Sequence, residues 1–204
     1  MGWNINKENI IIFYNDTVDA RMAGIVLSDF YKNKCTLRKF NPLTNILIDS
    51  GIDLANTHII LMGAALQQNH IETIKTAKQK GAYVSFVSTV LDETFDYTVF
   101  DNIVIRTGSL QSQSLTSVIY IELYGDTSDM PRMITLFSIY ASNEKDNEEY
   151  EIAEYVYRYI EVESELSIPK LRSMYYTSTT EDDLSAIFEL GKMATKSRTY
   201  YLNI

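Results

Sequence analysis

The apolar positions of the first hundred residues fall in short unbroken runs, separated by stretches of helical period. Ile10-Ile11-Ile12-Phe13 is the clearest run. It is too short for a helix and carries no polar residue, which predicts a strand over residues 9–14 covered on both faces. Ala23, Val26, Leu27 and Phe30 then recur at helical spacing, predicting a crossover helix over residues 20–32 with that stripe against a sheet. Residues 36–40 read as a shorter second strand that Pro42 ends. Residues 46–54 fit a weak helix or an irregular connection. Residues 57–62 are the strongest later strand, and residues 69–80 a helix that Asn69 would cap and Gly81 would stop. Residues 82–88 and 101–106 complete the set. Strand and helix in alternation predict an α/β fold: a parallel, doubly wound sheet of about five strands flanked by helices.

From residue 112 onward only helical patterns appear. Leu115, Val118, Ile119 and Leu123 form one apolar stripe, closed by Tyr124-Gly125-Asp126. Pro131 suits the first turn of the next helix, through Leu136 and Ile139. A polar, acidic loop over residues 142–149 leads to a tyrosine-rich face of Tyr150, Ala153, Val156, Tyr157 and Ile160, read as packing surface rather than a base-stacking platform. A last helix starts near Glu181, with Thr179 or Thr180 as its cap. The organisation expected is an α/β core over residues 1–111 and a helical portion of the same domain over residues 112–204.

Charge narrows the function. The chain has 204 residues and a formal net charge of −9, which argues against broad binding to phosphate backbones. Arg38, Lys39, Lys75, Lys78 and Lys80 are the candidates for a local basic surface. No apolar run approaches the ~20 residues of a membrane span, and the start of the chain lacks a basic segment followed by a long apolar one. No membrane and a cytoplasmic location are expected. Cys35 is the single cysteine, which excludes an intrachain disulfide or a thiolate zinc cluster. The richness in Ile, Asn, Lys and Tyr hints at a viral or phage source.

The candidate chemistry lies directly after the first strand, in Tyr14-Asn15-Asp16-Thr17-Val18-Asp19-Ala20. A strand that ends in polar residues before a helix is where open α/β sheets build their sites. The segment resembles the first motif of the DHH phosphoesterase family, in which such a strand ends in Tyr-His-x-Asp-x-Asp-Gly. Here Asn15 stands at the histidine position, Thr17 at the first aspartate and Ala20 at the glycine; Asp19 alone matches. The resemblance continues along the chain. Gly63 in Leu61-Met62-Gly63-Ala64 stands where the third strand should deliver an aspartate. Ser88-Thr89-Val90 replaces the Asp-His-His triplet. Met130-Pro131-Arg132 resembles the turn before the last aspartate motif, whose own place, around residues 137–141, holds no carboxylate. Residues 184–198 resemble the helix leading to the family's C-terminal substrate domain, and that domain is expected to be missing here.

That family hydrolyses phosphate esters with two divalent metal ions, usually manganese, which need several carboxylates and imidazoles. The resemblance therefore implies a scaffold that has lost its ion cage: a pseudoenzyme with no cofactor, and with Asp16 and Asp19 as the remaining metal ligands if any ion binds. Both carboxylates also suit turn and helix-capping roles. His58 falls at the start of its strand, opposite the expected site, and His70 at the start of a helix, where a surface or capping role suits it. Arg21 and Arg132, with Thr17 and Thr89, are candidates to hold an anion without metal. Ser109 and Ser112, in the loop before the first helix of the second half, could offer an anion backbone N–H groups.

Three readings follow. The first is a non-catalytic binding module with a protein partner, or a second copy of itself, in nucleic-acid or nucleotide-related machinery. The second is a nucleotide or short-oligonucleotide binder using the vestigial cleft. The third is a manganese-dependent phosphoesterase rearranged around Asp16, Asp19, His70 and Asp92.

Overall fold

A computed structural model describes residues 3, 7–32, 34–41, 43, 46, 48, 51–63, 66–105, 114–126, 128–162, 173 and 181–202. The chain divides into two compact units, Met1–Thr107 and Gly108–Ile204.

The first unit is the predicted α/β sheet. Its strands are β1 (Asn9–Tyr14), β2 (Thr36–Lys39), β3 (Thr57–Met62), β4 (Tyr83–Ser88) and β5 (Asn102–Ile105). All pair in parallel, in the order β2-β1-β3-β4-β5. The three central strands bury nearly every residue, β3 all six, as unbroken apolar runs require when both faces are covered. The edge strands are four residues each and partly exposed, a length that limits unwanted pairing.

Helix α1 (Val18–Phe30) is buried from Val18 through Ser28 apart from Asp19. Gly24 lets it lie close to the sheet: a Cβ there would meet Met62 Cε at 3.1 Å and Leu37 Cδ2 at 3.2 Å. Helix α2 (Gln68–Gln79) covers the opposite face with Ile71, Ile74 and Ala77 packed among Ile11, Ile59, Leu61, Val84 and Phe86. Its start differs from the sequence expectation. Gln67, not Asn69, is the cap, in a reciprocal box with His70, because the imidazole can reach back to a backbone N–H as a Glu or Gln would. Gly81 does end it, at φ +89°. Between β2 and β3 the described residues form no α-helix. Phe40 and Ile46 are buried there, and one 3-10 turn, Leu54–Asn56, is capped by Asp53.

The second unit contains α3 (Leu115–Tyr124), α4 (Arg132–Ala141), α5 (Tyr150–Val162) and α6 (Glu181–Leu202). Ser114 caps α3, accepting from Ser117 N at 3.0 Å, and Gly125 closes it at φ +96°. Pro131 stands one place earlier than expected, as the cap residue of α4. The tyrosine-rich face of α5 packs within the unit: Tyr157 stacks on Phe137 at 5.2 Å and lies 4.8 Å from Tyr140. Gly191 of α6 is pressed on α5, where a Cβ would fall 1.9 Å from Tyr155 O. The expected caps Thr179 and Thr180, and Ser109 and Ser112, lie outside the described residues. No described helix is long and apolar enough to cross a membrane.

Candidate functional site

In a sheet of this order the chain reverses direction between β1 and β3, and the crevice outside their carboxyl ends is where such folds take ligands. The loops after β1, β3 and β4 reach that edge: Asn15, Asp16 and Thr17 from the first, Gly63 from the second, Ser88, Thr89 and Val90 from the third. Of the other candidates, Asp19 and Arg21 lie in the helix that follows β1, and Arg132 lies in the second unit.

Local geometry sets what each can do. Thr17, extended at φ −91° and ψ 152°, is the N-cap of α1: Oγ1 accepts from Ala20 N at 3.1 Å and donates to Asn15 Oδ1 at 3.1 Å. The cap is thus Thr17, rather than Asp16 or Asp19, because a hydroxyl can serve the helix and hold Asn15 at once. Asp19 sits in the first turn, where a carboxylate meets the positive end of the helix dipole. Asp16 projects between two cations. Its carboxylate pairs with Lys39 Nζ from the end of β2, and lies 3.7 Å from Nε of the buried Arg21. Tyr14 completes the group. Burial raises its phenol pKa, while the nearby Arg21 and Lys39 charges pull it down.

The other loops supply few ligating side chains. Gly63 takes φ +72° and donates its N–H to Val87 O at 2.9 Å. Ser88 is buried, its Oγ accepting from Val90 N at 3.0 Å. Val90 and Leu91 stand out at 61% and 44% exposure.

The residues of a rearranged site are committed elsewhere. His70 is fully buried rather than at the surface; its Nδ1 accepts from Gln67 N at 2.9 Å and its ring stands edge-on to Phe40. Asp92 Oδ1 accepts from Thr94 N and Oγ1, which holds its carboxyl below the usual range. Among the described residues, no three His, Cys, Asp or Glu side chains are grouped to hold a metal ion. A dinuclear manganese centre does not fit this donor set: a threonine cap, a bonded amide, a glycine, a valine, one aspartate paired with two cations and one, Asp19, in the first turn of α1.

The anion candidates separate. Arg21 belongs to the crevice cluster. Arg132 lies in the second unit, its guanidinium forked onto the Glu149 carboxylate, with Nη1 2.7 Å from Oε2. Three of the five basic-surface candidates of the sheet unit are likewise drawn into ion pairs: Lys39 with Asp16, Lys78 with Asp101 at 2.8 Å, Lys75 near Glu72.

Sequence reasoning missed two features. Lys39 was read as general basic surface; its pairing with Asp16 needs the β1–β2 register, which sets Tyr14 beside Lys39. The second is His58, buried at the amino end of β3, with Nε2 2.7 Å from Ser85 Oγ. Its place at the strand start was legible, its partner 27 residues on was not.

No model of a known protein family matches the chain, and no curated protein matches it. Among solved structures, a Clostridium difficile protein provisionally described as a phosphosugar isomerase aligns with a TM-score of 0.42 at 14% identity, over 78% of this chain and 50% of that one. The chain spans about half the length of that protein.

Proposed function

We propose that this chain is a non-catalytic relative of the DHH phosphoesterases that acts as a binding module, engaging a protein partner in nucleic-acid or nucleotide-related machinery. The observation that carries this reading is the state of Asp16. The carboxylate best exposed beside the first motif is held by Lys39 and Arg21, while the other motif positions offer a cap, an amide, a glycine, a hydrocarbon and a single aspartate, Asp19, in the first turn of α1. Such an edge binds without polarising a phosphate or acidifying a water. A protein partner is favoured by exposed Val90, which presents hydrocarbon where a catalytic member would present an imidazole, and by exposed Leu91 beside it. A cytoplasmic setting, in a phage or virus, goes with this reading.

The test has two arms. Phosphodiesters and short RNA incubated with manganese should remain intact with wild type and with Asp19→Asn alike. Pull-down from host extract should recover a defined partner that a Val90→Asp, Leu91→Asp variant no longer holds. Hydrolysis that depends on Asp19 would overturn the non-catalytic reading. Failure to recover a partner, with monomeric behaviour in light scattering, would overturn the binding role.

A second reading rests on Arg21 and Lys39, two cations converging near the start of α1. A nucleotide phosphate could replace the Asp16 carboxylate there, since exposed ion pairs are worth only about 0–1 kcal/mol. Thermal-shift titration with mono-, di- and cyclic nucleotides decides it: stabilisation that Lys39→Ala removes supports the reading, and no stabilisation by any of them ends it.

A further inference from the structure

The amino end of the sheet, away from the crevice, gathers three stretches of the first unit around one imidazole. His58, the second residue of β3, is 1% exposed and its Nε2 lies 2.7 Å from Ser85 Oγ of β4. The ring of Tyr31, just past α1, stands edge-on to it at 6.4 Å, and that of Tyr83, the first residue of β4, at 5.2 Å. The Tyr31 hydroxyl reaches on to the N-terminal segment, donating to the carbonyl of buried Trp3 at 3.0 Å. Lys7 ties the same segment to the sheet by donating to the carbonyls of Ala55 and Gly81.

The surroundings suit a neutral ring and resist a charged one. Ser85 Oγ satisfies Nε2 in either tautomer. Asp101 is the one acid felt at this position, but its carboxylate is already occupied by Val84 N and Lys78 Nζ, each at 2.8 Å. Lys7 adds a like charge, and Tyr31 and Tyr83 are phenols that burial keeps protonated. Burial holds the imidazole pKa down at about 4, with Asp101 offsetting and Lys7 reinforcing. An imidazolium here must reach water. The interior route is closed, because Ile59 through Met62 are buried on both faces. Towards the end of α1 the ring meets half-buried Tyr31, which is bonded in turn to Trp3.

We propose that His58 is the trigger of an acid-sensitive latch, whose protonation releases Trp3 and the end of α1 from the amino edge of the sheet. The latch is independent of the crevice and of the binding role assigned to it.

Trp3 is the single tryptophan of the chain, so its emission reads the latch directly. On lowering the pH, the wild-type protein shows a reversible red shift of Trp3 emission, centred between the ordinary imidazole value of 6.5 and about 4, while helical circular dichroism persists. His58→Gln abolishes the shift. Tyr31→Phe, which keeps the ring and removes the bond to Trp3, moves the shift to higher pH. Should His58→Gln fail to fold, the imidazole proton resonances give the same answer, since only two histidines are present; both are buried, so a His70→Gln variant, which keeps a capping-box residue type, assigns them, and the His58 resonance must titrate together with the Trp3 signal. Constant Trp3 emission through the titration of His58 would overturn the latch. So would emission and dichroism falling in one transition that His58→Gln leaves in place.

Discussion

The two ends of the same parallel sheet are built on opposite principles. At the amino end, His58 and Ser85 are buried and bonded to each other, with the rings of Tyr31 and Tyr83 edge-on to the imidazole. At the carboxyl end, Asp16 and Lys39 are 48% and 59% exposed, Val90 and Leu91 face solvent, and polar groups serve caps and turns. Imidazole, the side chain most suited to catalysis, is spent as structure in both places: His58 on Ser85 at the amino end, His70 in the cap of α2 after β3. The end where this fold takes ligands has a neutral or self-paired rim. Residue type alone is a poor guide to role; position along the strand decides.

The largest way to erase that contrast is to remove the core between the two ends. Phe86 is fully buried in β4, 5.1 Å from Phe100 and 5.4 Å from Tyr97. Phe86→Ala should cost about 3–5 kcal/mol of unfolding free energy, visible in urea titration as a lowered midpoint for the sheet unit.

The next test separates the ends by pH. The folded state holds His58 below its unfolded pKa, so between 6.5 and about 4 the unfolded chain binds the extra proton. Stability is full above that window and falls as the pH drops through it. The shift corresponds to roughly 3 kcal/mol. A His58→Gln variant should show a flatter profile between pH 6.5 and 4.5 than wild type. An equally steep profile in the variant would show that the amino end does not carry the acid sensitivity.

The carboxyl end is the milder target. Thr17→Ala removes the cap of α1 and the bond that holds Asn15, and should cost about 1 kcal/mol, read as a lowered melting temperature. Lys39→Ala breaks only an exposed pair. It should change stability by about 0–1 kcal/mol, an amount that shrinks further in salt.

How far the sequence foretold this contrast follows from the kind of signal involved. The apolar runs over residues 10–13 in β1 and 59–62 in β3 announce strands buried on both faces, and the five-strand parallel sheet is as expected, because the period is local. The caps were harder. Thr17 competes with Asp16 and Asp19 as a cap, and only the backbone angles choose among them. The box formed by Gln67 and His70 was hidden because His is not the usual partner in that motif. Arg132 gave no sign of Glu149, nor His58 of Ser85, since both pairs form between residues far apart in sequence. The candidate residues at the crevice rim were legible as loop ends; that Asp16 is neutralised by β2 and α1 was not, because it depends on strand register.

The central claim is that this rim has no cage for a pair of dications. Calorimetric titration of the full chain with manganese tests it most directly. The account predicts no saturable uptake, with identical traces for wild type and Asp19→Asn. Two equivalents of tightly bound manganese, lost when Asp19 is changed, would contradict it.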